Sequence, residues 1–557
     1  MSGKSEDEQI EVAVPAPHAG AAAADAKTST ELAEMRGRAI QQQEHDRGYW
    51  LTLRSDPRLL LWIGVMLWTI GVRGFEAQAG GAIISITHFK QRFGEIDVEG
   101  NYFIATKWMS ALSGGGNAFM IVGSTIASYI LDYTGFRYLI LATTLLNIAS
   151  VGIEFGTTSI DMFFAGKMVN CIAIGAYQSL CTTYVADISP LAIRASVIGF
   201  CNLSQCIGPF IAAIMTNYTA KWDNDWSWRA LICAQWGFAG VAFIGQLFMP
   251  ESPVHLVRKG RYEAARKALG RMYTKPEDAD GHLERIKLTL AEAAAEASRT
   301  EAARGGGTSY LDCFRGTNLR RTYICIFVFV AEAMSGLGFV GSYGSLMYQY
   351  LGISDEKSFH YLIGAQVLSV SGAALAFFVT DFYGRRPMFL FGCVSITVLL
   401  LCMAISGSVD TYSATTASVG FYTMFNFVYN FGLGSGVYAI AGELPTSILR
   451  GKTLAISISS SNAANTMWSF VCPYIFNPGY GNLKAKIGFI FGAIMAFWSV
   501  IAFYIVPETR GRTYEEIDEL FMNKVPTRQF KSFVTVAEQR ASEAYTAEKK
   551  EMNMTDV

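Results

Sequence analysis

Residues 132–137 read Asp-Tyr-Thr-Gly-Phe-Arg, and 249 positions later residues 381–386 read Asp-Phe-Tyr-Gly-Arg-Arg. The correspondence returns twice. Asp187-Ile-Ser-Pro-Leu-Ala-Ile-Arg194 is echoed by Glu443-Leu-Pro-Thr-Ser-Ile-Leu-Arg450 at an offset of 256, acid and arginine seven apart in both. Pro250-Glu251-Ser252 is echoed by Pro507-Glu508-Thr509 at an offset of 257. One coincidence of this kind is cheap, but three at nearly one offset mark a duplicated unit. Two similar units in one orientation are an arrangement of secondary transporters, which keep their site between the halves.

The sequence around these motifs is apolar. Of the 91 charged residues, 58 lie in 1–57, 251–321 and 507–557, which leaves 33 for the other 378 positions. That is too few for the exposed surface of soluble domains of such size. Mean hydropathy is +0.27. A bilayer core ~30 Å thick needs about 20 mostly apolar helical residues. Such runs occur near 59–86, 104–131, 137–156, 162–186, 196–219, 229–249, 322–348, 360–380, 387–407, 414–442, 453–474 and 486–506. The expected fold is an all-α membrane protein of twelve spans, six on either side of a polar interruption. A net charge of −1 removes any case for a polybasic nucleic-acid binder.

The segment 251–321 carries fourteen lysines and arginines, and Arg137, Arg385, Arg386, Arg450 and Lys452 mark turns on its side of the bilayer. Basic loops stay inside, so both termini and this segment are assigned to the cytoplasm. The expected plan is a disordered tail (1–57), a six-helix half (58–250), short amphipathic linker helices (251–321), a second six-helix half (322–506) and a C-terminal tail (507–557). No basic-then-apolar signal peptide opens the chain, so the first span is expected to act as the targeting signal. Nine of the ten cysteines fall in apolar stretches with no CxxC or CxxH spacing, giving neither a metal site nor a disulfide framework.

The duplicated charges suggest gating. A carboxylate and a guanidinium at the membrane boundary can pair across helices, and glycine permits the tight turn beside them. Asp132, Arg137, Asp187, Arg194, Glu251, Asp381, Arg385, Arg386, Glu443, Arg450 and Glu508 are therefore read as a charge network that latches the cytoplasmic side between the halves. The plainer alternative is topology alone, with local ion pairs of little worth.

At these residues the chain resembles the sugar porter branch of the major facilitator superfamily. The marks are DYTGFR and DFYGRR, PESPVHLVRKGR at 250–261 and PETRGRTYEEIDELF at 507–521, and the likeness spans about 45–525. Within the branch it is most similar to fungal α-glucoside (maltose-type) permeases, through 177–195 (YQSLCTTYVADISPLAIRA), 427–453 (FVYNFGLGSGVYAIAGELPTSILRGKT) and 473–492 (PYIFNPGYGNLKAKIGFIFG). The resemblance implies the twelve-helix fold of that superfamily and a proton-coupled carrier in a fungal plasma membrane, working by alternating access. The pocket departs from the family pattern. Gly74-Phe75-Glu76 stands for Gly-Tyr-Asp, Glu332 for a sugar-binding Gln, Leu337 for an Asn, Ser435 for a Pro, Asn430 for an Asp and Phe136 for a second basic residue.

An ionised carboxylate in the bilayer interior is costly unless paired, hydrated or protonated. Glu76, at the family's Asp position, is the expected proton-coupling residue; its plainer role is a pair with Arg73, three residues away on one helical face. Glu332 is divided between substrate contact and structural hydrogen bonding, and Glu154 reads as interfacial. Sugars and polyols need amide and hydroxyl partners with an aromatic face. The candidates are Asn202, Tyr438, Gln178, Tyr343, Asn462 and Asn465, each of which could instead be interhelical glue. Asn202, Tyr438 and Asn462 match pocket positions of the family. Asn217-Tyr-Thr is a weak glycosylation sequon at a membrane edge.

No nucleophile–base pair, metal cluster or phosphate loop appears, so an enzyme is not expected. The leading function is transport of a sugar, polyol or related metabolite, with no cofactor and a proton gradient as the driving force. The alternatives are movement or export of a small hydroxylated metabolite or acid on the same scaffold, and a nutrient sensor that does not transport. Partners are the small-molecule substrate and the lipid bilayer, with no nucleic acid. A monomer suffices, because the site lies between the chain's own halves.

Overall fold

The computed structural model describes residues 56–96, 100, 102–273, 279–291, 310–409, 411–446, 449–477, 480–510, 512 and 514–535. The proposed disordered tail, apart from its last two residues, lies outside them. The first half runs through Pro57–Ile83, a second span discussed below, Phe136–Phe155, Ile160–Ile188, Leu191–Thr219 and Trp226–Leu247. The second half runs through Gly316–Met334 with Leu337–Tyr350, then Asp355–Tyr383, Arg385–Ser406, a tenth span, Arg450–Phe476 and Ile487–Ile505. The seventh span bends at Gly336, whose φ of +85° suits a residue without Cβ.

Nine described helices are long and apolar enough to cross a membrane. The second, tenth and eleventh spans complete the twelve. The second passes from Thr106–Ser110 through a π-helical turn, Ala111–Gly115, into Gly116–Thr134, and the tenth from Tyr412–Val428 through Tyr429–Gly434 into Ser435–Glu443. The eleventh is diluted by Ser457-Ile-Ser-Ser-Ser-Asn462. Exposed aromatics ring the bundle near both ends: Tyr129, Tyr138 and Tyr504 at the face bearing the central segment, Trp222, Trp226 and Tyr412 at the far face. Amphipathic rings favour that headgroup level.

The duplicated motifs build the same clasp twice at the linker face. Gly135 (φ +85°) and Gly384 (φ +98°) turn the chain into the third and ninth spans. The exposed first turns are then capped from afar: Glu251 accepts from Phe136 N (2.7 Å) and Arg137 N (3.0 Å), and Glu508 from Arg385 N (3.1 Å). A carboxylate is favoured there by unpaired amides and the positive end of the helix. A Cβ on Gly135 would stand 2.9 Å from the Glu251 carboxylate, and one on Gly384 2.7 Å from that of Glu508. The arginines close the other side, Arg137 donating to Leu247 O (2.7 Å) and Arg386 to Phe503 O (2.7 Å), at the ends of the sixth and twelfth spans.

The bonds described for this set run within each half rather than across the expected latch. Those described for Arg137, Glu251, Arg385, Arg386, Glu443 and Glu508 join residues of one half, including Arg385 Nε to Glu443 at 3.0 Å. Asp187 accepts from Ser252 Oγ (2.8 Å), again within its half. Asp132 is exposed, and the side chains of Arg194 and Asp381 lie outside the described residues.

Each half also carries its own cover. Helices Pro253–Arg258 and Tyr262–Met272 lay Leu256, Ala265, Leu269 and Met272 against Leu59, Ile63 and Met249 of the first half. Helix Tyr514–Met522 lays Ile517, Leu520 and Phe521 on the second half, and Arg321, 2 % exposed, pairs with Asp518. The two halves share one apolar cluster at the far face, where Ile83, Ile86 and Phe89 join Leu346, Met347 and Phe359.

Candidate functional site: two buried charge groups

Close backbone approach positions the first span. A Cβ on Gly74 would meet Gln205 O at 2.4 Å, and one on Gly208 would meet Gly71 O at 2.2 Å, so the first and fifth spans touch main chain to main chain. Small residues permit this contact in membranes. It fixes the stretch holding Arg73 and Glu76.

Glu76, 3 % exposed, pairs with Lys167 of the fourth span, 8 % exposed. Gly80 leaves room for the ammonium, since a Cβ there would stand 2.8 Å from Lys167 Nζ. Glu154, fully buried rather than interfacial, lies within electrostatic reach of both and accepts from Asn170 Nδ2 at 3.0 Å. Asn170 is oriented in turn by Asn147 Nδ2 (2.6 Å). One oxygen each of Glu76 and Glu154 has no hydrogen-bond partner among the described residues. Two carboxylates thus share one ammonium in a dry interior. All three cannot be ionised without a net charge there. The Glu76–Arg73 pair, the plainer alternative for Glu76, does not form; the partner is Lys167, which the sequence reading passed over. The available signal was plain: a lone lysine inside the apolar fourth span.

Arg73 belongs to a second group, at the boundary between the halves. It lies within electrostatic reach of Glu332 in the seventh span and Tyr438 in the tenth. Glu332 accepts from Tyr429 OH at 2.7 Å, at the start of the tenth span's π turn. Tyr438 packs edge-on against Phe329, ring centroids 5.2 Å apart, yet stays 48 % exposed, five residues before its span ends at Glu443. A ring half-exposed within electrostatic reach of Arg73 is not sealed into a packed core. π turns often sit at functional sites, because they displace a side chain that a regular helix would stack.

The other candidates scatter. Tyr343 is 1 % exposed and donates to Met109 O (3.2 Å), bracing the seventh span against the second instead of facing an open site. Among the described residues Asn465 makes only a long bond to Ser461 in its own helix (3.5 Å). Gln178, Asn202 and Asn462 are half-buried on the fourth, fifth and eleventh spans, with no described side-chain bond to the Arg73–Glu332 group. Asn217 is 6 % exposed, which takes it out of reach as a glycan acceptor. Among the described residues no group of three or more His, Cys, Asp or Glu is placed to hold a metal ion.

Polar contacts between the halves cluster toward the far face: Ser85–Ser345 (2.8 Å), Thr87–Asp355 (2.7 Å), Lys90–Gln349 (2.8 Å) and Lys221–Glu356 (2.7 Å). Deeper, Gln366 donates to Gln78 at 3.0 Å. The seal between the halves is therefore on the side opposite the linker.

Residues 41–521 match the family model described as sugar (and other) transporter. The chain is 29 % identical over 523 residues to a general alpha-glucoside permease of Saccharomyces cerevisiae, covering 90 % of this chain and 84 % of that protein. It is 28 % identical over 505 residues to a maltose permease of the same yeast, covering 89 % and 81 %. Among solved structures, the proton:xylose symporter XylE bound to 6-bromo-6-deoxy-D-glucose, a major facilitator superfamily protein, superposes with a TM-score of 0.64 at 18 % identity, covering 84 % of this chain and 99 % of that one. The inward-open xylose transporter XylE from E. coli gives 0.65 at 17 % identity, covering 83 % and 99 %. The fold is the same.

Proposed function

The chain belongs to the sugar (and other) transporter family, and on that premise we propose that it moves a sugar or sugar-like polyhydroxylated molecule across the plasma membrane by alternating access, coupled to protons. The chain is a multi-pass membrane transporter, not an enzyme. The proposal adds the substrate's entry to the boundary between the halves and the proton's entry to the Glu76 group.

The observation that carries the coupling is the pair Glu76–Lys167 with Glu154 beside it. When a proton arrives at Glu76 as Glu154 gives one up, the ammonium passes from one carboxylate to the other and the group's net charge is unchanged. The first span links the two events, since Arg73 and Glu76 lie one turn apart on it. Basic residues on the linker face support placing that face and both termini in the cytoplasm, on which reading the far-face seal marks an inward-facing state.

The test is substrate-induced proton movement. Reconstituted protein is offered α-glucosides, hexoses and polyols while internal pH is followed beside a Glu76→Gln variant. Sugar-triggered acidification that vanishes in the variant is expected. Uptake that proceeds with no proton movement would remove the coupling while leaving the transporter.

A further inference from the structure

The charge at the boundary between the halves calls for a more specific ligand than a neutral sugar. Arg73 is half-buried in the middle of the first span. Among the described residues it has no hydrogen-bond partner, and its Nε is buried and unpaired. The nearest described anion, Glu332, lies on the opposite half and makes no salt bridge with it; its Oε1 is engaged by Tyr429. A guanidinium presents five donors in a rigid fork shaped for a carboxylate, and it does not shed its charge in a protein. Placed at the bilayer midplane, such a fork is costly until something neutralises it. Lys167, by contrast, already has its carboxylate.

We propose that the substrate of this site is a polyhydroxylated monocarboxylate, a sugar acid, whose carboxylate is clamped by Arg73 while its hydroxyls meet Glu332 and Tyr438. The inference rests on the transport reading above and narrows it. The substrate charge meets the first half and the substrate hydroxyls meet the second, so a bound acid bridges the two. Hydroxyl donors suit Glu332, an acceptor. The edge of Tyr438 left open to the gap supplies both an apolar ring face and a hydroxyl. Co-import of one proton with a monoanion moves no net charge, whereas a neutral sugar with a proton moves one.

Binding to the purified full-length protein, followed by tryptophan fluorescence, compares D-galacturonate with D-galactose, D-glucuronate with D-glucose, and maltose. Counterflow in proteoliposomes checks that the bound compound moves. The acid of each pair is expected to bind about tenfold or more tightly than its neutral partner. Arg73→Gln is expected to erase that preference and Arg73→Lys to keep part of it, because charge survives and the fork does not. Were Arg73 only a charge clasp between halves, Arg73→Gln would weaken acid and neutral ligand alike, and the proposal would fall. Transport of maltose or hexoses with exclusion of the acids would overturn this inference and leave the sugar-carrier reading standing. No binding or movement of any of them would overturn both. The pairwise comparison on the unaltered protein decides even if an Arg73 variant does not fold.

Discussion

The hydroxyls of Ser85 and Ser345 stand 2.8 Å apart and tie the end of the first span to the seventh across the boundary between halves. Gly81, four residues earlier, makes that approach possible, because a Cβ there would sit 2.4 Å from Ser342 O. Gly81→Val should therefore wedge the far face open. Overpacking of this kind costs about 1–3 kcal/mol, enough for a shift of about tenfold between two states. A cysteine placed at Ser345 should then react faster with an impermeant maleimide from that side. Unchanged labelling would show that the contact does not gate.

The twin clasps should be additive. Glu251→Ala strips an acceptor from two amides and should cost about 1–2 kcal/mol, and Glu508→Ala a similar amount. The sites lie in different halves with no shared partner, so the double variant should lose the sum. Thermal melts of the detergent-solubilised protein read this directly.

The buried triad makes a sharper prediction. Lys167→Met leaves Glu76 and Glu154 without a cation, a loss of about 3–5 kcal/mol for a broken buried pair. Adding Glu76→Gln should restore much of that stability while abolishing proton-driven accumulation and sparing exchange across the membrane. Melting temperature and counterflow, measured on both variants and the unaltered protein, separate structure from coupling.

Lys221 and Glu356 meet at 2.7 Å across the boundary between the halves. Glu356→Gln should loosen the far-face seal only slightly, raising maleimide labelling there by less than Gly81→Val does. Both partners are exposed, so salt screens what the pair contributes.

The spans and the duplication were readable because apolar length and motif offset are properties of the chain alone. Partners were not. The spacing of Arg73 and Glu76 suggested one local pair, whereas packing of the first span on the fourth and seventh sends them to Lys167 and toward Glu332. Glu251 was recognisable as an anion needing a partner, but the partner is a main-chain amide with no residue signature. The π turns at Ala111–Gly115 and Tyr429–Gly434 have none either. Glu154 sits at the end of its span and so reads as interfacial, yet Asn170 and Asn147 close over it.

The clasps at Gly135 and Gly384 bear on how work would pass through the molecule. A beam fastened at one end transmits a rotation undiminished, while a loose one dissipates it in bending. Each half is fastened at its linker face by bonds to itself, and the halves meet at depth through Gln78 and Gln366. A small tilt about that fulcrum would widen one mouth as it narrows the other. The duplicated motif is then the stiffness of two levers, and a mutation that softens one should decouple the mouths before it unfolds the protein.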